Sequence, residues 1–309
     1  MHKNSHKGTK TAALARISRK SEQVAAKRQR IAIIGLGLMG GSLGLALKRQ
    51  RTAPVVCGFA RRAETRKLAI KIGAVDQVFD TPQEAVVSAD IVVICTPVLS
   101  IATLSKKCAP FLPSDAVVTD VGSTKRHLVS QMSSLRIPFI GSHPIAGSEQ
   151  SGLEAARANL YDGTVVIVTP PAGSDCRLIE RISTLWQSAG ARPITMPASE
   201  HDSLIAATSH LPHLLAALLV KHVAEFDSNM TASLCGSGFR DTTRIASGSP
   251  GMWHDILITN ASAISVELKR FRNLLNTCLK MIERDDFAQL RRLLTKSQLQ
   301  RRDIIAARR

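Results

Sequence analysis

Several groups of residues in this sequence have the types and spacing that chemistry requires. "GLGLMGG" places Gly35, Gly37 and Gly40 in G-x-G-x-x-G spacing directly after the apolar run Arg30–Ile34. Such a loop between a strand and a helix lets a pyrophosphate approach the backbone and rest on unpaired N–H groups at the helix start. "TDVGSTK" sets Ser123 just past another apolar run, and "GSHPIAGSEQSG" does the same for His143. "SHLPH" holds His210 and His213 three apart, on one face of a helix. "GFRDTTRIASGSPGMW" adds Arg240, Arg244 and Trp253. A neutral imidazole can accept a proton near working pH, and a guanidinium fork can fix a carboxylate. Beside a dinucleotide, that pairing suits proton abstraction coupled to hydride transfer.

The coenzyme choice depends on the end of the second strand, where a carboxylate would hold the ribose hydroxyls of NAD. This sequence reads Gly58-Phe59-Ala60-Arg61-Arg62 there. With no acid to repel it, a 2′-phosphate would find charge-assisted bonds at Arg61 or Arg62. NADP is therefore expected to be preferred, with NAD possible. Thr96 and Pro97, Leu38 and Met39, and Ser123 complete the expected coenzyme contacts.

Two other chemistries fit less well. The histidines lack an H-E-x-x-H motif or a cysteine pair, so no metal site is expected. Ser123 lacks the G-x-S-x-G elbow of a serine hydrolase. Each histidine taken alone could also be a hydrogen-bonded structural residue.

These residues need a scaffold. "RIAIIGLG", "PVVCGFA", "DIVVICTP", "AVVTDVGS", "PFIGSHP", "TVVIVTP" and "RPITMP" read as strands buried on both faces, being near-continuous apolar runs. Helical patterns such as 41–50 and 63–72 separate them. The alternation predicts an α/β fold, a Rossmann-type doubly wound parallel sheet over residues 30–197. After Pro197 strand signals end, and helical patterns occupy 201–226, 253–282 and 284–307, a helical substrate-binding and dimerisation domain over 198–309. That domain is short of core for its size, which predicts a homodimer.

Net charge is +17, but residues 1–30 carry nine Lys/Arg against Glu22, and 291–309 carry seven against Asp303. The remainder is close to balanced, so the charge describes tails, residues 1–29 being read as a disordered basic segment, and not a nucleic-acid surface. The six cysteines are scattered, as in a protein of a reducing compartment. The longest apolar stretch, Leu214–Val220, is too short to span a bilayer. A cytoplasmic location is expected, and the basic, acid-poor start is also compatible with an organelle presequence.

The glycine loop, "DVGSTK", "GSHPIAGSEQSG", "SHLPH" and "GFRDTTRIASGSPGMW", in this order, resemble the prephenate and arogenate dehydrogenases of tyrosine biosynthesis over most of residues 30–282. The resemblance implies oxidative decarboxylation of a cyclohexadienol. The 4-hydroxyl proton leaves to a base, the C4 hydrogen leaves as hydride to the nicotinamide, and the ring carboxylate leaves as carbon dioxide. By motif, His143 would be the base and Ser123 would orient the hydroxyl. Arg244 would hold a substrate carboxylate, and His213 would line the pocket with Ser209, His210 and Trp253. The departure from many relatives is Ala60, where they carry an acid. Two alternatives remain at this point: another two-domain reductase such as a β-hydroxyacid dehydrogenase, where Lys221 would have to serve, and a non-catalytic NADP-binding sensor.

Overall fold

The computed structural model describes residues 28–147, 150–226 and 228–307. The expected disordered segment 1–29 lies outside these, apart from its last two residues.

β1 (Arg30–Ile34), β2 (Val55–Phe59), β3 (Gln77–Phe79), β4 (Ile91–Ile94) and β5 (Val117–Asp120) form a parallel sheet in the order β3-β2-β1-β4-β5. Successive side chains of a strand point to opposite faces, and both faces are covered. Ile31 and Ile33 pack with Leu43, Leu47 and Trp186, while Ala32 and Ile34 pack with Ile101, Leu128 and Met132. The first cluster draws on α1 (Leu38–Lys48) and α6 (Cys176–Ser188), the second on α4 (Val98–Cys108) and α5 (Arg126–Ser134). The remaining helices described in this region are α2 (Ala63–Lys71), α3 (Pro82–Val86) and a 3₁₀ turn (Ala109–Phe111). Burial on both faces explains why the strands read as unbroken apolar runs. β3 escapes that reading because it is a three-residue edge strand with no fully buried side chain.

A second sheet, β6 (Gly141–Pro144), β7 (Val165–Thr169) and β8 (Arg192–Thr195), continues from the first. The link is a parallel bridge between Val118 and Phe139: Val118 N–H donates to the Pro138 carbonyl at 2.8 Å, and Ile140 N–H donates to the Val118 carbonyl at 3.0 Å. β6 and β7 are antiparallel, whereas β7 and β8 are parallel. The expectation of a parallel sheet thus holds through β5 and stops at β6–β7. Among the described residues between these strands there is no crossover helix, only turns, so the chain comes back in the opposite direction.

From Ala198 onward the described residues are helical: α7 (Ala198–Ile205), a π turn (Ala206–His210), α8 (Leu211–Val223), α9 (Ser228–Leu234), α10 (Ser237–Thr243), a 3₁₀ turn (Arg244–Ser247), α11 (Pro250–Thr259), α12 (Ala261–Glu283) and α13 (Phe287–Ala306). The stretch between the helical patterns 201–226 and 253–282 is thus helical as well, and α10 within it has Gly236 as its N-cap.

The apolar run around Leu214 is short, but the continuous helical stretch Ala198–Val223 has 26 residues and is long and apolar enough to cross a membrane by length and composition. Three of its ionisable residues, His201, Asp202 and His210, are nevertheless buried and hydrogen-bonded to protein groups. Those bonds place this face of the helix inside the fold.

Candidate active site

Sheets of this kind bind ligands outside the carboxyl ends of neighbouring strands whose crossovers lead in opposite directions, here β1 and β4. Gly35 has φ +110°, and a Cβ there would lie 2.4 Å from the Cys95 carbonyl oxygen. A Cβ on Gly40 would meet the Gly35 carbonyl oxygen at 2.0 Å, whereas the space over Gly37 is open. α1 starts at Gly37 with no side-chain cap, so its first amides are available to an anion. These features fit a dinucleotide pyrophosphate. Tyr161, fully buried, donates its hydroxyl to the Met39 carbonyl at 2.7 Å and braces Leu38–Gly40 from behind. Thr96 packs against Gly35, where an added Cβ would lie 2.9 Å from its Cγ2; its Oγ1 accepts a bond from Ser100 at 2.9 Å, and Pro97 leads into α4. At the end of β2, Ala60 is buried while Arg61 and Arg62 are exposed and make no side-chain hydrogen bond among the described residues. Arg66, one turn along α2, donates to the carbonyls of Ala60 at 2.8 Å and Arg61 at 3.2 Å and pairs with Asp80.

Ser123 lies just past β5, as the spacing requires. His143 sits within β6, paired with Ile167 of β7. Because Phe139 bridges Val118 in parallel, His143 is level with the residues just past β5, at the same end of the sheet. Among the described residues Ser123 makes no side-chain hydrogen bond, and His143 Nδ1 is 2.8 Å from His201 Nε2. Gly141 lies in β6, where a Cβ would come 2.5 Å from Thr169 Oγ1, so it is needed for close packing. The positive φ in this motif belongs to Gly152, at +90°. Ser148 and Glu149 lie outside the described residues.

The loop after β5 is shaped by a buried ion pair. Asp120 and Lys125 have fully buried side chains in contact, and Asp120 also accepts the amides of Gly122 at 2.7 Å and Ser142 at 3.0 Å. The bond to Ser142 ties β5 to the residue before His143. Asp202 closes the other side, accepting the amides of Lys125 at 2.8 Å and Arg126 at 2.9 Å and contacting His201 Nδ1 at 2.8 Å. Asn260 Nδ2 donates to the Asp202 carbonyl at 2.8 Å and lies 3.2 Å from His210 Nδ1. His210 meets Trp253 edge-on at 6.0 Å, and His213 stacks on Trp253 with centroids 3.5 Å apart. Arg244 is exposed at the start of the 3₁₀ turn that packs on α8, and Ser209 is exposed on the π turn. His143, His201, His210, His213 and Trp253 are thus joined in one chain of contacts that runs through Asp202 and Asn260. Arg240 stands apart, its guanidinium donating to the Cys235 carbonyl at 3.4 Å.

Comparison with known proteins decides the family. The model of the prephenate dehydrogenase nucleotide-binding domain matches residues 43–195, and that of the prephenate dehydrogenase dimerization domain matches residues 197–296. The chain belongs to the prephenate dehydrogenase family. It is 34% identical over 266 residues to prephenate dehydrogenase of Bacillus subtilis, covering 84% of this chain and 72% of that protein. It is also 34% identical over 247 residues to cyclohexadienyl dehydrogenase of Zymomonas mobilis, covering 78% of this chain and 84% of the relative. The crystal structure of prephenate dehydrogenase from A. aeolicus in complex with hydroxyphenyl propionate and NAD+ superposes with a TM-score of 0.85 at 31% identity, covering 91% of this chain and 99% of that one.

Burial governs the electrostatics of this family member's site. The His143 pKa is held well below its ordinary value, first by burial and then by His201, the Lys125 ammonium and His210. His201 is lowered by burial and Lys125 despite its bond to Asp202. His210 is brought down to about 4, mainly by burial. His213 is lowered by burial, with a backbone bond at Ile245 opposing. All four rings are therefore neutral near pH 7.

Asp120, Lys125, His201, Asp202, Asn260 and Arg66 went unread in the sequence. Asp120 and Lys125 flank Ser123 in "DVGSTK", and "EHDS" sets adjacent His and Asp a short way before "SHLPH". An adjacent His–Asp pair at the start of a helix already rich in histidine is a signal that could have found two of them.

Proposed function

We propose that this chain catalyses the oxidative decarboxylation of prephenate, of arogenate, or of both, in a two-domain arrangement of a dinucleotide-binding unit, 30–197, and a helical unit, 198–309. One observation carries the reading: His143, its pKa lowered by burial, meets His201 through Nδ1 and has no hydrogen bond at Nε2 among the described residues, at the strand ends beside the glycine loop. A bound nicotinamide supplies the hydride acceptor for the substrate's C4 hydrogen. His143 Nε2 takes the 4-hydroxyl proton as the C4–O bond gains carbonyl character, and the carbon–carbon bond to the ring carboxylate breaks to release carbon dioxide and leave an aromatic ring. Ser123, whose hydroxyl has no hydrogen-bond partner among the described residues, orients the substrate hydroxyl. Arg244 fixes a substrate carboxylate, and His213, His210, Ser209 and Trp253 line the ring site. The name of the Zymomonas relative, a cyclohexadienyl dehydrogenase, supports arogenate as an alternative substrate.

NADP is the preferred coenzyme in this reading, since Arg61 and Arg62 present guanidinium groups beside Ala60, where no carboxylate repels a phosphate. A homodimer through the helical unit accords with the exposed apolar side chains Leu274, Leu275, Leu279, Ile282, Phe287 and Leu294. A cytoplasmic location accords with a biosynthetic dehydrogenase. The β-hydroxyacid dehydrogenase alternative loses its lysine, because Lys221 is exposed and paired with Glu225 at 3.6 Å. The deciding assay follows reduced coenzyme formation with prephenate and with arogenate, each with NAD and NADP. Turnover of neither cyclohexadienol would refute the reading.

A further inference from the structure

We infer that Asp202 is a positioning residue that gives two histidines of the site opposite tautomers: through its carboxylate and His201 it leaves His143 with an unprotonated Nε2, and through its backbone carbonyl and Asn260 it leaves His210 with a protonated Nε2. The inference deepens the proposed function and rests on it for the use made of each nitrogen. The hydrogen-bond logic itself needs no substrate.

The first arm starts at a carboxylate. Burial disfavours the ionised form of Asp202, yet the bonds from His201 and from the amides of Lys125 and Arg126 outweigh it and hold the carboxyl below its ordinary value. An ionised carboxylate only accepts. His201 Nδ1, 2.8 Å away, must therefore carry the hydrogen and donate it. His201 is neutral, so its Nε2 has only a lone pair. His143 Nδ1, 2.8 Å from that lone pair, must donate in turn. A neutral imidazole has one N–H, and in His143 it is used here. The Nε2 lone pair remains for a substrate proton.

The second arm starts at the carbonyl of the same residue. A carbonyl oxygen only accepts, so Asn260 must turn its amide nitrogen toward Asp202 at 2.8 Å, which settles the orientation of the amide. The second hydrogen of that nitrogen faces His210 Nδ1 at 3.2 Å, so Nδ1 accepts. The hydrogen of His210 is consequently on Nε2. That atom is buried and has no partner among the described residues. A buried donor without an acceptor is costly, and a substrate oxygen against Trp253 would relieve the cost.

The π turn is what allows one residue to serve both rings. In an uninterrupted α-helix, eight residues would carry His210 about 80° around the axis from Asp202. The residue added by the π turn reduces this to about 20° in the other sense. Accordingly His210 is buried with Asp202, while Ser209 is exposed.

The test reads protons directly. The full-length protein is labelled with ¹⁵N-histidine, and two-bond ¹⁵N–¹H correlations at neutral pH identify the protonated nitrogen of each ring, with His143→Asn and His210→Asn assigning the signals. Wild type is expected to show His143 protonated at Nδ1 and His210 at Nε2. His201→Phe is expected to abolish the single tautomer of His143, to lower kcat by about a hundredfold with KM within about twofold, and to leave His210 unchanged. Asn260→Ala is expected to release the His210 tautomer and raise KM, leaving His143 unchanged. Either ring showing the opposite tautomer in wild type overturns the inference, and that spectrum decides alone if a variant does not fold. Correct tautomers without turnover of prephenate or arogenate would instead refute the substrate reading and leave the inference standing.

Discussion

Lys125 and Asp120 are joined by an ion pair whose side chains are both 0% exposed, directly beneath the loop that carries Ser123. Burial lowers the Lys125 pKa, and Asp120 opposes that shift. Such a pair adds little by existing but is expensive to break, because the surviving charge is stranded. Lys125→Met is therefore expected to destabilise the protein by about 3–5 kcal/mol in urea unfolding. The double variant Lys125→Met/Asp120→Asn should recover part of that loss. Equal stabilities for wild type and Lys125→Met would show that Asp120 is not left unpaired.

His143→Asn tests the base. Removing a positioned general base costs about 10²–10⁴-fold in kcat. Coenzyme affinity should change little, since His143 lies on β6, outside the glycine cradle. A histidine with only a structural role would behave differently, with lower stability and soluble yield but preserved kcat per folded molecule. Steady-state kinetics and a melting curve on the same preparation separate the two.

Legibility in the sequence followed physical cause. The parallel sheet could be read because Ile31–Ile34 and Ile91–Ile94 are buried on both faces and must be apolar throughout. β3 could not, since an edge strand of three residues needs no such run. The direction of β7 was also hidden: an apolar strand has the same composition whether its neighbour is parallel or antiparallel. In the site, Gly35 and His143 stood out by local motif. Asp202 and Asn260, 58 residues apart, acquire meaning only through a bond that folding creates. The π turn left no mark in the helical periodicity, yet it decides whether Ser209 or His210 turns inward.

Coenzyme choice is open to a direct measurement. Arg61→Ala/Arg62→Ala should weaken NADP by roughly ten- to a hundredfold, the loss of about 1.5–3 kcal/mol of charge-assisted bonding. NAD, lacking the 2′-phosphate, should be affected far less. Ala60→Asp should shift preference further toward NAD. A wild-type enzyme that already favours NAD would sink the argument, and Arg66 with Asp80 would then be the next place to look.

Gly248 guards the stacked pair. A Cβ at this position would lie 2.7 Å from Trp253 Nε1 and 3.4 Å from His213 Cε1. Gly248→Ala should therefore push the indole off the imidazole and raise substrate KM severalfold, with coenzyme KM unchanged. Tryptophan fluorescence, dominated by Trp253 and Trp186, should shift in parallel. Unaltered fluorescence and KM would mean that the 3₁₀ turn yields without disturbing the stack.

Acid sensitivity should follow the buried histidines. His143, His201, His210 and His213 all have folded-state pKa values below the ordinary 6.5, with burial as the largest cause each time. Above pH 6.5 these rings are neutral in both folded and unfolded chains and contribute no pH dependence. Below it the unfolded chain binds protons that the folded one refuses, so stability falls as pH falls. For His210, with a folded value of about 4, the loss runs from pH 6.5 down to about 4 and amounts to roughly 3 kcal/mol. Asp202 acts in a lower window, since its depressed carboxyl pKa is felt only below the ordinary 3.8. Melting temperature should thus decline steadily from pH 6.5 to 4.5, and His210→Asn should flatten part of that slope. A wild-type melting temperature constant across this interval would mean that the rings accept protons in the folded state, and the neutral base assigned to His143 would fall with it.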